Sequence, residues 1–75
     1  MLSANIEIKL TVDGNQWYVA ACSANIDNKK FYTLPPGEFF PNKDAAIGEL
    51  RRRIMAWFKQ QGRKETEEKV EWRVP

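Results

Sequence analysis

The sequence contains no histidine and only one cysteine, Cys22. Without histidine the chain lacks the commonest general base and metal ligand. A single cysteine cannot form an intrachain disulfide, and Cys22 lies on a predicted strand with no imidazole partner, so we interpret it as structural. The four glycines are isolated, which excludes a glycine-rich loop that cradles phosphate. We therefore expect a protein that is not an enzyme and that has no metal or other cofactor.

Long hydrophobic runs are also missing. No stretch approaches the ~18 apolar residues that a membrane helix needs, and Glu7 and Lys9 interrupt the N-terminal apolar positions, which excludes a secretory signal. We therefore expect a cytoplasmic protein with no membrane contact, folded as a single small domain over residues 1–75. Twelve Lys and Arg against ten Asp and Glu give a net charge of +2, which permits nucleic-acid binding without requiring it.

The strongest periodic signal predicts a helix from Asn42 to Gln61. Its apolar residues fall within one arc at helical spacing, as expected for a helix packed on a sheet. Asn42 is a good N-cap, and Gly62 follows the helix as a residue able to take positive φ. The apolar stripe consists of Ile47, Leu50, Ile54, Trp57 and Phe58, with Ala46 and Met55 at its margins.

Alternating apolar residues predict a first strand over residues 5–12. Asp13-Gly14 suits a two-residue hairpin turn, which would pair Val12 with Asn15, Leu10 with Trp17, Ile8 with Val19 and Ile6 with Ala21. A second strand over residues 16–24 then has two faces. Trp17, Val19, Ala21 and Ser23 are expected to face the helix, and Tyr18, Ala20, Cys22 and Ala24 to face away.

Asp27-Asn28 is the next predicted turn, and it leads into a third strand over residues 29–34. Tyr32 and Leu34 are expected on the helix side, and Phe31 and Thr33 on the outer side. Pro35-Pro36-Gly37 ends this strand, and the chain is expected to cross the fold there, with Phe39 or Phe40 packing against the start of the helix.

A final strand is predicted where apolar and charged residues alternate, with the apolar positions at Val70, Trp72 and Val74. It is expected to lie either beside the first strand or on an edge of a second copy. The complete order is β-β-β-α-β. The predicted class is therefore α+β, an antiparallel sheet with one helix packed on one face.

The uncovered face of this sheet is the first candidate site. Lys9, Tyr18, Phe31 and Thr33 are expected there, beside the small residues Ala20 and Cys22. A flat surface of aromatic and small residues suits a protein partner or a second copy of the chain. Protein–protein contact or homodimerisation on this face is the function that we predict.

Nucleic-acid binding is the alternative. Arg52, Lys59 and Arg63 lie along one flank of the helix, and Lys29 can join the aromatic residues of the sheet face. The competing interpretation is structural. Cations near a helix C-terminus complement its dipole, and Glu49 can pair with arginines one turn away.

Three local features occur together with the β-β-β-α-β order: a turn followed by residues 17–21, a helix opening over residues 42–46 and a final strand over residues 70–74. In these features the chain resembles the N-terminal domain of HicB-type antitoxins. The family's Pro-Gly turn after the second strand has no counterpart here, and no ribbon-helix-helix or helix-turn-helix segment follows. The resemblance therefore implies a module that binds a partner without chemical turnover. A second similarity, to the sheet-and-helix DNA-binding domains of some integrases, lies in Trp17, Lys29-Lys30 and the helix entry.

Overall fold

The computed structural model describes residues 1–74 and has the predicted α+β class. Its strands are β1 (Leu2–Leu10), β2 (Trp17–Ile26), β3 (Lys30–Leu34), β4 (Phe39–Phe40) and β5 (Val70–Arg73), with helix α1 (Lys43–Gln60) and a 3₁₀ turn over Glu67–Lys69. The sheet order is β3-β2-β1-β5, and β4 pairs with β2 beyond β3. All pairs are antiparallel except β1 with β5. The final strand thus takes the first of its two predicted places, beside β1.

The loop between β1 and β2 is longer than predicted. β1 ends at Leu10, and residues 11–16 form the connection in place of a two-residue turn. The N–H of Gly14 donates to the carbonyl of Thr11 at 2.9 Å, which closes a tight turn over residues 11–14. Val12, which was predicted to be a strand residue, is fully exposed, and Leu10 is 48% exposed. The core therefore ends near Ile8, short of the predicted end of the strand.

A β-bulge at Ala20 changes the register of β2. Leu10 pairs with Trp17 and Ile8 with Val19, as predicted, but Glu7 pairs with Ala21 and leaves Ala20 without a partner. One extra residue inverts the alternation of everything that follows. The prediction for the second half of β2 is therefore wrong. Cys22 and Ala24 are 1% and 2% exposed beneath the helix, whereas the positions predicted to be inside, Ala21 and Ser23, lie on the opposite face.

The connection to β3 contains a second shift of one residue. Asp27 and Asn28 both have positive φ, at 52° and 57°, and Ile26 pairs with Lys30, one residue beyond the position that a two-residue loop at Asp27-Asn28 would give. This shift cancels the effect of the bulge. Tyr32 consequently lies on the helix side as predicted, although it pairs with Ala24. Its ring stacks on Trp57 of the helix, with 5.3 Å between ring centroids.

The Pro35-Pro36-Gly37 segment interrupts the strand but does not cross the fold there, contrary to the prediction. The N–H of Val19 donates to the carbonyl of Glu38, and the N–H of Gly37 donates to the carbonyl of Val19, both at 3.0 Å. With Gly37 at φ 103°, this is the pattern of a G1 bulge. The chain thus rejoins β2 and follows it to Phe40 before it crosses into α1.

Both predicted ends of the helix are confirmed. The Asn42 side chain accepts a hydrogen bond from the N–H of Ala45 at 2.8 Å. At the other end, the N–H of Arg63 donates to the carbonyl of Phe58, and that of Gly62 to the carbonyl of Lys59, which is a Schellman motif with Gly62 at φ 82°. No helix within residues 1–74 has the length and apolar character needed to cross a membrane.

One face of the sheet and one side of α1 form the hydrophobic core. α1 packs on β1, β2 and β4, and its buried residues recur every four positions at Ala46, Leu50, Ile54 and Phe58. The facing core residues are Leu2, Ala4, Ile6 and Ile8 of β1, Val19, Cys22, Ala24 and Ile26 of β2, and Val70 of β5. Within residues 1–74 no helix covers the other face of the sheet.

Candidate binding face

The face of the sheet opposite α1, called the open face here, consists largely of short polar side chains. The strand registers place these side chains in two rows that run across β3, β2, β1 and β5. The first row is Phe31, Asn25, Ser3 and Glu71, and the second is Thr33, Ser23, Asn5 and Arg73. We call them the polar rows. Asn25 donates to the Ser3 hydroxyl at 2.6 Å, which fixes these two neighbours relative to each other.

The polar rows enclose a shallow depression of about 230 Å³. Its lining is Ser3, Ala4, Asn5, Ser23, Asn25, Asn28 and Arg73. Amide and hydroxyl groups offer both donors and acceptors, so this part of the open face is suited to polar groups of a partner.

The other end of the open face is aromatic. Tyr18 pairs with Lys9 on one side and with Phe39 on the other, and the two rings are 6.2 Å apart between centroids. Phe39 is 56% exposed. We call Lys9, Tyr18 and Phe39 the aromatic end. It is continuous with the exposed β1–β2 loop, which carries Val12.

The predicted set of Lys9, Tyr18, Phe31 and Thr33 therefore divides into two groups. All four belong to the open face, but Tyr18 and Phe31 lie about 20 Å apart along β2, at about 3.3 Å per residue. Cys22, predicted to be part of this surface, is buried instead. Burial raises the pKa of its thiol to about 11, so it is unsuited to nucleophilic chemistry.

Phe39 is an exposed aromatic residue of this face that the sequence pattern did not assign to it. The adjacent phenylalanines enter a short strand, where neighbouring residues point to opposite faces. Phe40 accordingly pairs with Trp17 and packs against the core, and Phe39 faces outward. The pair of aromatics was the signal, but only a strand at this position separates their roles.

The arginines of the helix are largely paired with acids. Arg52 and Arg53 both bond to Glu49, at 2.6 and 2.8 Å, and these bonds lower the pKa of the Glu49 carboxyl to about 2, with Arg52 the larger cause. Arg53 also binds Glu38 through two nitrogens. The structural interpretation of the basic helix therefore accounts for Arg52 and Arg53 without a ligand.

The remaining residues of the nucleic-acid alternative are dispersed. Arg63 pairs with Glu65 and, at 3.4 Å, with Asp27. Lys59 is exposed near the end of α1 and Lys29 in the β2–β3 turn, and neither forms an ion pair within residues 1–74. Of the four predicted cations, Lys59 and Lys29 are therefore without an ion pair among the described residues, and of these two Lys59 alone lies on the helix flank.

Arg51 has a different role from its neighbours. Its guanidinium lies over the ring of Trp72, 4.7 Å from the centroid, and forms an ion pair with Glu67 at 3.2 Å. The indole N–H of Trp72 donates to the carbonyl of Glu67 at 3.0 Å. These contacts attach β5 to the helix side of the molecule and leave the opposite side of β5 in the open face.

Residues 1–74 contain no cluster of three or more cysteine or acidic side chains that could hold a metal ion. No family model matches the sequence, no curated protein matches it significantly, and no solved structure resembles its fold significantly. The resemblance to HicB-type antitoxins therefore stays a prediction.

Proposed function

We propose that this chain is a non-enzymatic binding module that contacts a partner protein through the open face. One observation carries the proposal. The open face presents Phe31 and Phe39, 67% and 56% exposed, and no element within residues 1–74 covers it. Aromatic residues separated by hydrogen-bonding groups are the composition that protein interfaces favour.

The charges of the open face support a protein partner over a nucleic acid. Lys9 lies 4.0 Å from Glu7, and Arg73 lies 3.6 Å from Glu71, so each cation has an acidic neighbour on its own strand. A surface that binds phosphates needs an excess of unpaired cations. The open face is close to neutral, which suits a polar protein surface.

Binding variants test the proposal. The chain is used as bait, a captured protein is purified, and the affinity of the binary complex is measured by calorimetry for the wild type and for Tyr18→Glu and Phe31→Glu. Charging an aromatic hot-spot residue of an interface costs about 2 kcal/mol or more, so we expect at least a tenfold loss of affinity from one of the two variants. Lys59→Glu, an equally exposed change on the helix, is the matched control and leaves the affinity unchanged.

The nucleic-acid alternative predicts a different pattern. Binding to DNA or RNA would weaken steeply with salt and would fall on Lys59→Glu or Arg52→Glu. That result, or a protein complex unaffected by Tyr18→Glu and Phe31→Glu, overturns the proposal.

A further inference from the structure

The two outer edges of the sheet differ in how well they are protected. An unpaired edge strand offers free backbone groups to another strand, and proteins block such edges with lysine, proline and irregular segments. The β3 edge begins at Lys29-Lys30 and ends at Pro35-Pro36. The β5 edge is also flanked by a lysine and a proline, Lys69 and Pro75, but it carries neither residue type between Val70 and Arg73. Nothing within residues 1–74 pairs with its outer side.

We propose that β5 pairs antiparallel with β5 of a second copy of this chain, about a two-fold axis that passes by Trp72. In a two-fold interface the same patch serves both partners, so it must be complementary to itself. The sequence Val70-Glu71-Trp72-Arg73-Val74 meets this condition, because the reversed strand places an arginine opposite each glutamate.

The register specifies each contact. Glu71 lies opposite Arg73 of the partner subunit, and Arg73 lies opposite Glu71 of the partner subunit. Both side chains belong to the open face, where they are 51% and 74% exposed and therefore accessible. Directly opposed residues of antiparallel strands are close enough for an ion pair, and opposite charges there are favourable.

In the same register, the side chains on the helix side of β5 also match those of the second copy. Val70 and Val74 oppose each other across the axis, and Trp72 opposes its own copy, which gives three apolar pairs. The β3 edge gives no such match. Centred on Tyr32, it would place Lys30 opposite Leu34 and Phe31 opposite Thr33.

Pairing of this kind extends the binding face. A two-fold axis perpendicular to the sheet keeps both helices on one side and joins both open faces on the other. The polar rows would then run from one copy into the next through Glu71 and Arg73. The inference rests on the β5 edge alone, and a partner protein could still occupy the open face of each copy.

The expected association is weak. The paired segments, residues 70–74 of each copy, bury much less than the ~1,200–2,000 Å² of a standard stable interface. We therefore expect a dissociation constant on the order of 100 μM, or about −5.5 kcal/mol. Sedimentation equilibrium of the 75-residue chain, from about 10 μM to 1 mM, spans this value.

Charge exchange provides the decisive variants. Glu71→Arg and Arg73→Glu each place like charges opposite each other, so each variant alone should associate at least tenfold more weakly than the wild type. An equimolar mixture of the two variants restores both opposite-charge pairs and should form a heterodimer with about the wild-type affinity. The double variant E71R/R73E should likewise dimerise. All these positions are exposed, and circular dichroism checks that each variant is folded.

Three results would overturn the inference: a monomeric wild type up to 1 mM, a dimer that persists in both single variants, or a mixture of the two that stays monomeric. Tyr18→Glu and Phe31→Glu distinguish the two proposals. If these abolish a dimer that the charge variants preserve, a second copy occupies the open face, the β5 inference fails and the proposed function keeps its support.

Discussion

The two halves of β2 use opposite alternation within one strand. Before Ala20, the odd-numbered residues Trp17 and Val19 lie on the helix side, and after it the even-numbered Cys22 and Ala24 do. Each half accordingly gives the open face a different character, with Tyr18 in the aromatic end and small polar residues in the polar rows. One bulged residue therefore decides which side chains the open face presents.

A carboxylate placed on either side of β2 tests the inverted alternation most directly. Ala24→Asp puts a charge where the native side chain is 2% exposed, and an unpaired buried charge should reduce the free energy of unfolding by about 3 kcal/mol or more. Ser23→Asp, on the open face, should change it by about 0.5 kcal/mol or less. Urea unfolding followed by circular dichroism measures both. A larger loss for Ser23→Asp would mean that the alternation is not inverted.

The sequence was sufficient for elements whose signals are local. The helix has an N-cap at Asn42 and a glycine at its C-terminal end, and its apolar spacing fixes the buried side. The bulge has no such signal, because Ala20 and Ala21 fit either face of a sheet. Strict alternation was therefore the reasonable prediction, and it failed at the first residue after the bulge.

Thiol reactivity tests the same inversion chemically. Burial raises the pKa of Cys22 from 9.0 to about 11, so its thiolate is about 100-fold scarcer near neutral pH, equivalent to about 2.7 kcal/mol. The comparison is between Cys22 of the wild type and a cysteine introduced by Ser23→Cys on the open face, in a chain that also carries Cys22→Ala. At pH 8 the introduced thiol should react with a disulfide reagent at least 100-fold faster than Cys22 does. Equal rates would contradict the buried position of Cys22.

The raised pKa of Cys22 also makes the free energy of unfolding depend on pH. Because the thiol ionises more readily in the unfolded chain, its contribution is fully present below pH 9.0 and is lost as the pH rises towards about 11. Cys22→Ala removes this loss, so the difference in stability between wild type and variant should shrink across that range.

The candidate site was only partly predictable, for a related reason. Lys9, Tyr18, Phe31 and Thr33 were assigned to the correct face, the last two because the shift at the β2–β3 turn cancels the bulge. Their separation into two groups depends on long-range register, which local patterns do not encode.

The smallest expected change in stability concerns Gly37, in the segment that pairs with Val19 next to the Ala20 bulge. Gly37 has φ 103°, a conformation that costs an L-residue about 1–2 kcal/mol, and an added Cβ would meet no atom within 4 Å. Gly37→Ala should therefore lower the free energy of unfolding by that amount through the backbone alone. Gly48, exposed within α1, is the matched control, because Gly48→Ala should raise it by about 0.5–1 kcal/mol. If Gly37→Ala is neutral in urea unfolding, the G1 bulge does not hold this segment against β2.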